Sequence, residues 1–380
     1  MSDQLRLALD KVIDPELRRP ITELGMVGEI DFTNGVARIE VKLTVAACPA
    51  RDRIERDVVA AARTVEGVND VSVSLGVMTA EELAELRVQL RGARAAKTIP
   101  FDADSYTRVY LVGSGKGGVG KSSLTANLAV QLALDGFKVG LLDADVYGFS
   151  IPGQLGLTAR PTKVDEFIVP PVYEVPVEGV ADGDRPAVRV ISIGMFIEGS
   201  KAVAWRGPML HRTMQQFLAD VHWGDLDFLL VDLPPGTGDV AISLGQLLPT
   251  AKSIVVTTPQ AAAADISART AAVGLQTGQG ILGVIENLSW FEQQDGSRAE
   301  LFGAGGGQQV AAELTQLSGK PVELLGQVPF SIGLREGADA GSPIVVGNSS
   351  DTAAQSIAAI AKLIAADKLV RASRSLKLSV

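Results

Sequence analysis

Gly113-Ser114-Gly115-Lys116-Gly117-Gly118-Val119-Gly120-Lys121-Ser122-Ser123 is the stretch on which the reading of this chain turns. Residues Gly115 to Ser122 fit G-x-x-x-x-G-K-[ST], a loop that cradles phosphate. Val109-Tyr110-Leu111-Val112 before it reads as a buried strand. Ser123 to Leu134 after it carries Leu124, Leu128 and Leu132 at helical spacing. A strand, a glycine loop and a helix in that order aim backbone N–H groups and a helix N-terminus at an anion. Gly115, Gly117, Gly118 and Gly120 keep side chains out of the way of that approach. Val119 and Ser123 complete the expected cradle. Lys121 is expected to reach the β/γ-phosphates and the Ser122 hydroxyl to ligate Mg²⁺.

Working outward, Lys138-Val139-Gly140-Leu141-Leu142 reads as a second buried strand ending in Asp143-Ala144-Asp145. Residues i and i+2 of a strand share a face, so both carboxylates are expected at its C-terminal end. Phe228-Leu229-Leu230-Val231-Asp232 is a third apolar strand ending in an aspartate, expected to hold Mg²⁺ through water. Leu233-Pro234-Pro235-Gly236-Thr237-Gly238-Asp239 must leave the sheet, because proline cannot continue a central ladder. Val188–Ile193, Ser253–Thr258 and Ile281–Ile285 read as further strands, the last followed by Glu286-Asn287. The glycines Gly303, Gly305, Gly306 and Gly307 have no strand directly before them and read as a loop ahead of a helix. The expected fold is α/β, a doubly wound and mostly parallel P-loop sheet with a small α/β domain in front of it.

Lys116 gives the loop a second lysine, Lys-Gly-Gly-x-Gly-Lys-Ser, which resembles the deviant P-loop ATPases of the MinD/ParA-like superfamily. In that group the extra lysine reaches the partner's phosphates across a nucleotide-sandwich dimer, a cation supplied in trans where charge develops. Asp-x-Pro-Pro-Gly-x-Gly-Asp at 232–239, Val146-Tyr147-Gly148-Phe149-Ser150-Ile151-Pro152, and Trp205-Arg206-Gly207-Pro208-Met209-Leu210 resemble the Mrp/ApbC-type iron–sulfur carrier ATPases. The resemblance implies that Asp145 orients the attacking water and contributes to the metal site beside Ser122 and Asp232. It implies that Asn287 contacts adenine, and that Gly326-Gln327-Val328-Pro329 forms a loop closing over the base. It further implies a homodimer, with iron–sulfur scaffolds or apoprotein clients as partners and ATP with Mg²⁺ as cofactors.

In one respect the chain departs from that family, which places a C-x-x-C pair near Ser289 to Phe302. Here the residues are Trp290-Phe291-Glu292-Gln293-Gln294-Asp295-Gly296, with no cysteine. Clusters usually take four thiolates, and a dimer of a chain with one cysteine, Cys48, offers two. The ligand count weighs against a cluster held as the relatives hold it, unless a partner or small thiol lends ligands.

Residues 1 to about 80 read as an α/β unit. Leu5, Leu9 and Val12 lie at helical spacing, and Asn34-Gly35 reads as a hairpin turn before the alternating Val36–Leu43. A helix from Pro49 through Ile54, Val58 and Ala62 precedes a second strand, Val71–Leu75. Asp14-Pro15-Glu16, Gly25-Met26-Val27, Leu43-Thr44 and Cys48-Pro49 resemble the N-terminal domain shared with SufT-type assembly proteins. A helix N-terminus and nearby Arg51 and Arg53 are expected to favour a Cys48 thiolate, making it a candidate metal ligand or reactive group, against the alternative of an inert buried thiol. Thr79 with Glu82 forms a capping box. The boundaries expected are 1–91 for the small domain, 92–105 for a linker, 106–370 for the ATPase and 371–380 for a tail.

The 380 residues exceed what one core usually supports, and an apolar fraction of 46% excludes a largely disordered chain. A formal charge of −9 weighs against nucleic acid or an anionic membrane as partner. One cysteine and a start at Met1-Ser2-Asp3-Gln4 without an apolar leader lead to the expectation of a cytoplasmic protein. His211 and His222 lack ligand-spaced companions and read as structural. The last helix, with Ile357, Ile360, Ala361 and Ile364, is expected to pack on the sheet and make no stable membrane association. The function these features point to is MgATP hydrolysis by a cluster carrier or assembly factor. The alternative is an ATP-dependent binding switch of the ParA/MinD type acting on DNA or membrane, and a kinase-like transferase lacks an acceptor motif.

Overall fold

The computed structural model describes residues 1–380 apart from 46–47, 92–98, 103, 165–166, 198–206, 261–265, 267–273, 276–277, 294 and 368–380. Trp205-Arg206, the first half of the expected linker and the 371–380 tail therefore lie outside the described residues.

At the N-terminal end, α1 (Ser2–Leu9), β1 (Val27–Thr33), β2 (Val36–Leu43), α2 (Arg51–Arg63), β3 (Asp70–Val77) and α3 (Ala80–Arg91) follow in order. The sheet runs β1-β2-β3, with β1 antiparallel and β3 parallel to β2. Asn34 and Gly35, at φ 53° and 80°, make the tight β1–β2 turn, as primed hairpin turns require. Leu5 and Leu9 of α1, Ile39 and Val41 of β2, and Ile54 and Val58 of α2 bury one apolar core. Thr79 and Glu82 cap α3 reciprocally: Glu82 N–H donates to Thr79 Oγ1 at 3.2 Å and Thr79 N–H to Glu82 Oε2 at 2.8 Å. The helix expected from Pro49 starts two residues later, at Arg51.

A larger α/β sheet follows. Its elements are β4 (Arg108–Ser114), α4 (Lys121–Leu134), β5 (Val139–Asp143), α5 (Ile151–Gln154), β6 (Thr162–Val164), β7 (Phe167–Val169), β8 (Val172–Glu174), β9 (Ala187–Ser192), α6 (Gly207–Ala219), β10 (Phe228–Asp232) and α7 (Asp239–Leu247). After them come β11 (Lys252–Thr257), β12 (Gly280–Glu292), β13 (Arg298–Ala299), α8 (Gly306–Ser318), β14 (Glu323–Phe330), α9 (Ile332–Ala340), α10 (Ile344–Gly347) and α11 (Thr352–Ala366). Strands lie in the order β13-β12-β11-β4-β10-β5-β9-β8, with β14 also on β12. All pairings are parallel except those of the short strands β13 and β8. β4 sits between β10 and β11, so the loop after it leaves from the middle of the sheet. In open α/β sheets ligands bind outside such carboxyl ends.

Both faces of the sheet are covered. Leu124, Leu128 and Leu132 of α4 pack on one face with Ile357, Ile360 and Ile364 of α11, while Leu210 and Met214 of α6 and Leu244 of α7 pack on the other. The terminal helix thus buries its apolar stripe, as expected from its spacing. Three expectations need correction. Gly326–Pro329 is part of β14, held in the ladder opposite Ile285, Glu286 and Asn287, and is not a loop. β12 runs on past Asn287 to Glu292; Leu288, at φ 58°, kinks it between Asn287 and Phe291 and breaks the alternation by which strands are recognised. Finally, Phe101 of the expected linker is buried, edge-on to Trp223 at 6.5 Å, so the second half of that segment is packed on the larger sheet's core.

Candidate functional site

Two glycines in the left-handed region, Gly118 and Gly120, both at φ 78°, bend the chain between β4 and α4 into a cradle. Ser114 Oγ donates to the Lys116 carbonyl at 3.0 Å, and Gly236 N–H of the loop after β10 donates to the Ser114 carbonyl at 2.8 Å. Beneath the cradle, Asn287 Nδ2 donates to the Val119 carbonyl at 2.8 Å. A Cβ on Gly120 would come within 2.2 Å of that nitrogen, so the close approach admits glycine alone. The carbonyl fixes the amide's orientation, and Asn287 Oδ1 is left buried with no partner among the described residues. Lys116 Nζ donates to Gln260 Oε1 at 2.7 Å, a partner 144 positions away that no motif announces.

Asp232, fully buried at the end of β10, gathers the rest. Its Oδ2 accepts from Ser122 Oγ at 2.6 Å and pairs with Lys121 Nζ at 2.7 Å, and its Oδ1 accepts from Thr125 Oγ1 at 2.9 Å. Thr125 escaped the sequence reading. It lies four residues after Lys121, one helical turn on, and that spacing was the available signal. A lysine and two hydroxyls thus converge on one carboxylate, residue types that can contact phosphate and a divalent cation.

Of the two carboxylates after β5, Asp143 is the one facing Asp232 across the ladder. Burial and the neighbouring Asp232 charge push its carboxyl well above the usual carboxylate range. It accepts from Ser192 Oγ at 3.0 Å, Asp145 N–H at 3.2 Å and Ser150 N–H at 3.2 Å, pinning both ends of the loop that follows. Asp145 turns into that loop, its Oδ1 accepting from Gly148 N–H at 2.8 Å and Tyr147 N–H at 3.2 Å. The two aspartates therefore do different work: Asp143 anchors the loop and Asp145 shapes it.

A cavity of about 880 Å³ opens beside the cradle, lined by Gly118, Gly120, Ser123 and Asn287 on one side. Phe149, Pro152 and the segment Leu157–Arg160 line another side, and Phe330, Leu334 and Arg335 close it. Apolar walls with a few convergent polar groups suit a nucleoside. The orphan Oδ1 of Asn287 leaves an unused acceptor at this wall, and on this observation the residues present fit a nucleotide.

Cys48 lies apart from this site, in the N-terminal core. Of the two expected readings, the surroundings favour the inert buried thiol. Burial is the largest influence and, with the charges of Glu16 and Asp14, pushes the thiol up to about 11, outweighing the backbone N–H bonds of Ala50 and Arg51. Arg53, expected to help, is committed to Glu174 instead. Glu16 itself, half-buried beside Asp14, is pushed up to about 7 by desolvation and the Asp14 charge. His222 is held down to about 4 by burial and nearby arginines and packs edge-on against Phe167, a structural role.

Comparisons with known proteins agree with this geometry. Residues 105–365 match the ParA family, described as NUBPL iron-transfer P-loop NTPase, and residues 2–75 match an iron-sulfur cluster assembly protein family. The chain is 52% identical over 351 residues to an iron-sulfur cluster carrier protein of Mycobacterium tuberculosis, covering 92% of this chain and 89% of that one. It is 40% identical to the protein so named in Deinococcus radiodurans, covering 98% and 97%. Among solved structures, a nucleotide-binding protein of Archaeoglobus fulgidus in complex with ADP is 32% identical, with a TM-score of 0.51, covering 72% of this chain and 95% of that one.

Proposed function

Because the chain belongs to the NUBPL iron-transfer P-loop NTPase family and carries an iron-sulfur cluster assembly unit in front, we propose that it hydrolyses MgATP to drive delivery of iron–sulfur clusters to apoproteins. The observation that carries this reading is the set on Asp232: Lys121, Ser122 and Thr125 converge on one buried carboxylate directly below the glycine cradle. In this proposal Gly115 to Ser123 hold the phosphates and Asn287 reads the base. Ser122 and Asp232 hold Mg²⁺, which neutralises charge on the phosphates. Asp145 orients the attacking water, its backbone placement set by Asp143. Lys116, freed from Gln260, reaches the second copy of the chain in a homodimer.

The cluster is cargo. One buried, protonated cysteine per chain supplies no ligand set, so clients or small thiols complete the coordination. The same reading divides the chain into a small assembly unit (1–91), a connection (92–105) anchored on the larger core at Phe101, an ATPase (106–370) and a tail (371–380), working in the cytoplasm without nucleic acid or membrane. No helix among the described residues is long and apolar enough to cross a membrane.

Anaerobic loading with iron and sulfide, followed by transfer to an apo-ferredoxin with and without MgATP, tests it. The proposal expects MgATP-dependent transfer and steady ATP turnover. Turnover without any gain in transfer would leave only the ATP-switch alternative.

A further inference from the structure

The core of the N-terminal unit does not end with that unit. Val164 of β6 and Val169 of β7, both within 2% of complete burial, belong to the same apolar cluster as Leu5, Ile39 and Cys48. β6 and β7 pair only with each other among the sheets, three residues to a strand. A ribbon of that size has no stability of its own and takes its place from what it packs on. On its other edge Ile168 bonds the ATPase body, donating to the Asp220 carbonyl at 2.9 Å and accepting from His222 N–H at 2.8 Å. The ribbon therefore bridges the two units.

Polar contacts complete the bridge. Thr162 Oγ1 donates to Glu16 Oε1 at 3.0 Å. Glu174 is gripped by Arg18 at 2.9 Å and Arg53 at 3.0 Å, all three largely buried, and Arg18 also donates to the Arg185 carbonyl at 2.9 Å. Two ion pairs to Glu174, the Thr162 hydrogen bond and two buried valines are among the contacts that join the units. Buried ion pairs gain little net energy after desolvation, and small polar interfaces between units are reversible by default. The segment entering the ribbon, Leu157–Arg160, is also a wall of the nucleotide cavity. Only one residue separates Arg160 from Thr162.

We propose that this contact is a latch released by the nucleotide: ATP filling the cavity draws the 157–160 wall inward, pulls Thr162 off Glu16, loosens the Glu174 grip and uncovers Asp14, Glu16 and Cys48. The inference rests on the nucleotide reading of the cavity. A ligand shifts such an equilibrium only by its differential affinity for the two states, and the coupling is reciprocal. Weakening the latch must therefore tighten nucleotide binding.

The chain has a single cysteine, so thiol labelling of the full-length protein reports the latch without further engineering. Cys48 labelling by iodoacetamide is measured with and without a non-hydrolysable ATP analogue, while fluorescent-ATP titration measures binding in parallel. The proposal expects labelling at least tenfold faster with the analogue. It also expects fast labelling without nucleotide in Glu174→Gln, and tighter ATP binding by that variant. Thr162→Val, which loses one hydrogen bond, provides a milder second variant if Glu174→Gln loses near-ultraviolet circular dichroism. Saturable binding with unchanged labelling would overturn the latch alone. Slow labelling in both folded variants would overturn it too. Absence of binding would overturn the nucleotide reading and the latch together.

Discussion

Lys121 Nζ and Asp232 Oδ2 lie 2.7 Å apart, both nearly excluded from solvent, with Ser122 Oγ on the same oxygen. The lysine expected to reach phosphate and the aspartate expected to hold Mg²⁺ are thus ionic partners of each other. Lys121→Ala removes the phosphate cation and strands a buried carboxylate. Loss of ATP turnover below detection is expected, with a stability loss of about 3–5 kcal/mol from the unpaired charge. Denaturant melts and a turnover assay measure the two effects. Unchanged turnover would refute the phosphate role.

Lys116 separates binding from chemistry. Its ammonium rests on Gln260 at the rim of the loop and bonds no phosphate-loop atom. Lys116→Ala is expected to bind ATP within a few-fold of wild type and to lose about 10³-fold or more in turnover, the scale of a cation supplied in trans. Mixing Lys116→Ala with Lys121→Ala should restore part of the activity through heterodimers. Sedimentation with and without a non-hydrolysable analogue checks the dimer.

Asn287 and Gly120 form a matched pair. Gly120→Ala combines φ 78° with a 2.2 Å clash against the Asn287 amide, so it strains the loop and displaces the base contact. Asn287→Ala introduces no clash, but removes both the Oδ1 acceptor and the Nδ2 bond to the Val119 carbonyl. The first variant is expected to lose ATP binding outright. The second is expected to weaken ATP by about tenfold, the scale of one hydrogen bond to an unpaired buried group, while narrowing its preference over GTP. Competition titrations with the two nucleotides distinguish these outcomes.

The pH dependence of docking follows from Glu16, whose carboxyl burial pushes up to about 7. A carboxyl raised in the folded state contributes stability that is complete below its unfolded value near 4.5 and is lost as pH rises through about 7. Wild type should therefore lose melting temperature between pH 5 and 8 relative to Glu16→Gln. Asp14, raised by burial as well, stays in both proteins and leaves a shared slope. Parallel melting curves for the two would rule out Glu16 as the titrating group.

What the sequence disclosed, it disclosed locally. The cradle, the strands before Asp143 and Asp232, and the capping box at Thr79 are each written within a dozen residues, where a spacing rule links residue type to geometry. Partnerships across the fold carry no such mark: Lys116 with Gln260, Glu16 with Thr162, and Glu174 with two arginines are set by topology. Cys48 was left between two readings for the same reason. Its helix position is local information, but the burial that controls its acidity is not. Gly326–Pro329 shows a different error: the resemblance implied a loop, and the segment sits within β14.

The order of strands also dictates an order of birth. β4 takes its ladder partners from β10 and β11, more than a hundred residues further on, and Tyr110 of β4 receives its hydroxyl's acceptor only from Asp367, beyond the final helix. The N-terminal sheet, by contrast, closes within residues 27–77. As the ribosome extrudes the chain, the small sheet closes early, and the 162–169 ribbon that completes its core follows while β4 is still unpaired. A polypeptide truncated ahead of Thr352–Ala366 would therefore keep its small front sheet and lose the helix that covers one face of the large one.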